Sequence, residues 1–145
     1  MIKETIPLLK DKHNHISIYS ALNNCLDIQN IQSKSKVMSL IEEKEEEPTI
    51  VLGWNTSYYD FSEEEINKLQ PLIICDLSLH DVLINRPGKE MLNKRYPKLI
   101  KNIDNKSWIE RNYSYLMKIL VDLKGTTVDK FNSVYDSLFQ KGISY

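Results

Sequence analysis

The chain has 145 residues, 41% of them hydrophobic and 27% charged, and its 19 Lys and Arg balance 20 Asp and Glu to a net charge of −1. That length suits one domain with its own core, and the composition excludes a disordered or fibrous protein. The charge balance excludes a domain that holds nucleic acid through a basic surface.

Cys25 and Cys75 each lie in an apolar stretch and read as reduced core thiols of a cytoplasmic protein, not as a secreted disulfide framework. Met1-Ile-Lys-Glu-Thr5 shows no basic stretch leading into an apolar one, so no signal peptide is expected. Apolar runs fall far short of the ~20 residues that cross a bilayer, so no membrane partner is expected. An eight-stranded α/β barrel takes about 250 residues. This chain cannot close one by itself.

Thr5 to Leu9 is short, apolar and bounded by charge, which predicts a buried strand continuing to His15. From Ile16 to Leu26, Ile18, Ala21, Leu22, Cys25 and Leu26 recur at helical spacing. Val37, Met38, Leu40 and Ile41 do the same and predict a helix from about Ser35 to Glu46. Its acidic end, Glu42-Glu-Lys-Glu-Glu-Glu47, is closed by Pro48 and reads as a solvated helix end. The macrodipole disfavours negative charge there, so the last turn should fray.

Thr49-Ile-Val-Leu-Gly53 predicts a strand. Ser62-Glu-Glu-Glu65 fits a capping box, opening a helix that ends before Pro71. Leu72-Ile-Ile-Cys75 predicts a third strand, leading into Asp76-Leu-Ser-Leu-His80. Arg86 to Lys106 holds Pro87-Gly88 and Pro97 and predicts short helical pieces and turns. Ser107-x-x-Glu110 is a second capping box, followed by the stripe Ile109, Tyr113, Leu116, Met117 and Leu120, and Gly125 stops that helix. Thr126-x-x-Asp129 is a cap for a last helix with the stripe Val128, Phe131, Val134, Tyr135, Leu138 and Phe139. Gly142 stops it, and Ile143-Ser-Tyr145 reads as the first residues of a further strand.

Asp11-Lys-His13-Asn-His15 is the sharpest chemical feature. On a strand, residues two apart share a face, so Asp11, His13 and His15 would project together and two neutral imidazoles could chelate one divalent ion. A catalytic zinc site takes about three protein ligands plus water, so the pair alone is too few. The alternative is a surface or loop pair. His80, just past a strand, could equally bond a backbone carbonyl, and Trp54 could simply cover core. The chain offers no Gly-rich phosphate loop, nucleophile elbow or Cys-His arrangement.

Pro7-Leu-Leu-Lys-Asp11-Lys-His13-Asn-His15 resembles the P-G-[FL]-x-D-x-H-x-H segment that opens the barrel of metal-dependent amidohydrolases. One branch, which includes the N-substituted formamide deformylases, then carries Gly-Trp-Asp or Gly-Trp-Asn, a short strand ending in His, and an apolar stretch ending in Asn. This chain has Gly53-Trp54-Asn55, Leu72–Leu79 with His80, and Val82–Ile84 with Asn85, in that order. Gly142-Ile-Ser144 is similar to the family's G-[IV]-[TS] before the next barrel strand. Leu8 stands where the family has Gly, and Lys10 where it has an apolar strand residue.

The resemblance implies one α/β domain over residues 1–145, a helix-rich, incomplete TIM-barrel-type amidohydrolase domain with about three short strands and five to six helices. It is the N-terminal part of the catalytic domain: the first barrel strand, the mixed α/β insertion after it and the start of the second strand. His13 and His15 would be metal ligands for a divalent ion, zinc by the family's habit, with His80 and Trp54 binding a small-molecule amide. The intact family hydrolyses amide or related C–N bonds with metal-activated water. Lacking the later barrel strands, the chain is expected to bind metal weakly, to be inactive alone and to self-associate through its open edge. The rival expectation is a non-enzymatic α/β module that binds a protein partner, with His13 and His15 incidental.

Overall fold

The computed structural model describes residues 16–140. In chain order the elements are α1 (Ile16–Leu22), β1 (Leu26–Asp27), α2 (Lys34–Glu42), β2 (Thr49–Trp54), α3 (Glu63–Ile66) and β3 (Leu72–Asp76). They continue with β4 (Val82–Ile84), α4 (Arg86–Asn93), α5 (Pro97–Asn102), α6 (Lys106–Arg111), α7 (Tyr113–Lys124) and α8 (Val128–Gln140). The strands lie side by side in the order β1-β2-β3-β4, the first three parallel and β4 antiparallel to β3. The fold is therefore α/β with one mixed sheet.

Helices cover both faces of that sheet. Val37 and Ile41 of α2 and Ile66 of α3 pack with Val51, Leu72 and Ile74 on one side. Ile50, Ile73 and Cys75 point to the other side, against α1 and the α4–α7 segment. A strand buried on both faces has no polar side to show, which is why Thr49-Ile-Val-Leu and Leu72-Ile-Ile-Cys read as continuous apolar runs. Each fully buried isoleucine contributes about 2 kcal/mol of transfer free energy. The two crossover helices, α2 and α3, share one face, as two crossovers of the same hand stepping in the same direction require.

The Ser62 capping box forms in both halves: the Glu65 N–H donates to Ser62 Oγ, and the Ser62 N–H donates to Glu65 Oε2 at 2.9 Å. Other boundaries move. The first helix stops at Leu22, because Leu26 and Asp27 pair with Val51 and Leu52 as an edge strand. The second stops at Glu42, the first residue of the acidic run, and Gln70 Nε2 donates to the carbonyls of Ile41 and Lys44 at its end. The helix expected from Ser107 to Lys124 is cut at Asn112, whose backbone (φ −117, ψ 24) is not helical. Its Nδ2 donates to Trp108 O at 2.8 Å, closing α6 from the side chain. The cap of α6 is Asn105, not Ser107, and the hydroxyl accepting at the start of α8 is that of Thr127, not Thr126.

These breaks, with β4, turn the expected three strands and five to six helices into four strands and eight helices among the described residues. Among the described residues the sheet is open, with β1 and β4 as its outer strands. The segments read as barrel strands, 5–15 and 143–145, and the stop at Gly142 lie outside the described residues. The α8 stripe is the other departure. Val134 is buried, but Val128 and Phe139 are 75% and 65% exposed, so much of the stripe faces away from the body. Cys75 is fully buried and Cys25 half-buried, both as free thiols, and burial pushes both thiol pKa values up. No helix among the described residues is long and apolar enough to cross a membrane.

Candidate functional site

Three parallel strands send their carboxyl ends to one edge, the edge at which open α/β sheets bind ligands. There β3 runs into a turn built on Asp76. Its Oδ2 accepts from Ser78 Oγ at 2.6 Å, and its Oδ1 from the Asp81 N–H at 2.9 Å. Its carbonyl accepts from the Leu79 N–H, and Leu79 sits in the left-handed region at φ 61. That conformation is costly for a side chain with a Cβ, so the surrounding bonds must hold it. The next residue, His80, donates its backbone N–H to Ser78 Oγ at 3.2 Å. Its imidazole is exposed and stacks on the ring of Tyr113, centroids 5.0 Å apart and planes within 15°.

Trp54 meets this turn through its backbone: its carbonyl accepts from the Leu77 N–H at 3.0 Å. The indole goes to the other face. It packs with Phe61, centroids 5.7 Å apart, and its Nε1–H donates to Tyr59 O at 3.0 Å. Only 7% of the residue is exposed, and that edge reaches a groove of about 610 Å³ bordered by the Lys106–Asp81 and Lys89–Asp104 ion pairs. Gly53, at φ +84, brings the chain so close to Gln29 that a Cβ would meet its backbone nitrogen at 2.9 Å. Asn55 Oδ1 accepts from the Ser57 N–H at 2.9 Å in a local turn. Gly53-Trp54-Asn55 thus has a complete structural role: close approach, core and turn.

A second space, of about 540 Å³, lies between α1, α8 and the His80 turn. Ile18, Leu52, Leu79, Tyr113, Val134 and Leu138 supply its mostly apolar wall. Its volume is that of a small-molecule site. His80 itself does not line this cavity, but it follows Leu79 in the chain and stacks on Tyr113, both of which do. The sequence singled out His80; Tyr113 was read only as one member of a core stripe. What marks it is its place immediately after Asn112, where a helix starts anew.

The structure therefore puts Leu79 and Tyr113, the chain neighbour and the stacking partner of His80, on the wall of a ligand-sized cavity, and packs the Trp54 indole into the opposite core. Asp11, His13 and His15 lie outside the described residues. Among the described residues no group of three or more His, Cys, Asp or Glu could hold a metal ion. The chain matches no protein-family model, no curated protein and no solved structure.

Proposed function

We propose that this chain is the N-terminal part of a metal-dependent amidohydrolase-like hydrolase, with residues 16–140 as the α/β body inserted between the first and second strands of an incomplete barrel. One observation carries the reading. The helices at the two ends of the body, α1 and α8, pack together, and both contribute to the wall of the same cavity. A crossover between neighbouring parallel barrel strands runs back through helix, so a body that begins and ends in helices packed on each other fits between two such strands. His13 and His15 directly precede α1 in the sequence, and Gly142-Ile-Ser144 directly follows α8.

In this reading His13 and His15 are two ligands of a divalent ion, zinc in the first instance, and His80 faces a small amide substrate. The bound metal would supply Lewis-acid polarisation of a carbonyl. Two imidazoles fall short of the about three protein ligands a catalytic zinc takes. They fit a weak site, and no hydrolytic step is derived for this chain alone. Titration calorimetry with Zn²⁺ tests the reading on the wild type, His13→Ala and His15→Ala. Weak binding lost in both variants, with a small rise in melting temperature at excess metal, supports it. Binding unaffected by either substitution overturns it, and tight stoichiometric zinc with turnover would overturn the view that the chain is incomplete.

The second reading, a non-enzymatic α/β module for a protein partner, is favoured by the outward apolar face of α8.

A further inference from the structure

We propose that Tyr113 is the positioning residue for His80, fixing the imidazole in one orientation beside the α1–α8 cavity; its functional meaning rests on His80 facing the amide. An exposed histidine ordinarily exchanges rotamers on the picosecond-to-nanosecond scale. Two constraints remove that freedom here. The backbone of His80 is held from both sides, by the Asp76-centred turn and by the Leu77 N–H on the carbonyl of Trp54. The ring is held from one face by Tyr113, in near-parallel contact.

Tyr113 is itself fixed. It opens α7 directly after the non-helical Asn112, is half-buried, and shares the cavity wall with Leu79. A flat imidazole finds a matching flat partner only in an aromatic side chain, and an aliphatic one of similar volume would leave it free to turn. The consequence is preorganisation: the ring nitrogens are already oriented when a ligand enters, so less ordering is needed on binding.

The test is proton–carbon NMR of the histidine rings in the full chain, where His80→Ala identifies the His80 signal among three histidines. In the wild type the His80 ring protons should lie upfield of free histidine and show cross-relaxation with the Tyr113 ring. Tyr113→Phe should retain the displacement, and Tyr113→Leu should return it to the free position with unchanged far-UV circular dichroism. A His80 signal at the free position in the wild type, or one unmoved by Tyr113→Leu, overturns the proposal. Should Tyr113→Leu fail to fold, the wild-type displacement and cross-relaxation decide. Formamide, added as a probe, separates the two levels: if the stack is present but formamide leaves the ring signals unmoved, the positioning role stands and the amide reading fails.

Discussion

The side chain of Asn85 takes the backbone N–H of Leu72 on its Oδ1 at 3.0 Å, tying the start of β3 to the residue that caps α4. The same oxygen accepts from the Gly88 N–H at 2.9 Å, while Nδ2 donates to Ile66 O and Gln70 O, each at 2.8 Å. Asn85 is fully buried, so no bulk water can replace these partners. Truncation to alanine strands two donors and the carbonyls beside them, a cost of about 3 kcal/mol. Asn85→Asp should cost at least as much, since a carboxylate has no proton for those carbonyls. Urea denaturation should show a lower midpoint in both variants with an unchanged slope.

Gly88 depends on that same junction. A Cβ there would stand 2.9 Å from Asn85 Oδ1 and from Ile84 Cγ2, and 3.0 Å from Leu72 O. None of these can retreat without breaking the Asn85 bonds or moving β4. Gly88→Ala should therefore cost about 2 kcal/mol by overpacking, although alanine is the better helix former. A thermal midpoint equal to or above that of the wild type would contradict it.

Glu65 links α3 to α2 through Lys34 Nζ at 2.6 Å. That contact, with the bonds from Ser62, holds the Glu65 carboxyl down from the ordinary 4.5 to about 2. A lowered folded-state pKa stabilises above the unfolded value, so this contribution is complete above pH 4.5 and lost as pH falls toward about 2. Melting temperatures across that window should fall less steeply for Glu65→Gln than for the wild type. Added salt should shrink the difference, because the pair is partly exposed.

Self-association should run through α8, where Val128 and Phe139 are the most exposed large apolar residues of the body. Light scattering should find the wild type larger than a monomer. Phe139→Asp combined with Val128→Lys should give a monomer with unchanged helix content, since neither side chain belongs to the core. A wild-type monomer at high concentration would refute this.

Where burial is two-sided or a cap is local, the sequence was a sufficient guide: β2, β3 and the Ser62 box follow directly from apolar runs and from Ser-x-x-Glu spacing. It failed where a distant side chain decides. Asn112 looked like one more helical residue until its amide closed the preceding turn, and the end of α2 depends on Gln70, 29 residues from Ile41. In the α8 stripe, periodicity marked an apolar face but not whether anything covers it. The candidate site divides the same way. His80 was visible as a strand-end histidine, whereas Tyr113 reaches it only through tertiary packing, and Trp54 belongs to the core because its indole lies on the far side of the sheet.

The meeting of α1 and α8 bears on how this body can be handled. Loop-closure cost grows only slowly with length, so a flexible linker can join the ends of these two packed helices. A circularly permuted version, opened instead at the exposed Asn55–Tyr58 turn, keeps every strand pairing and both cores.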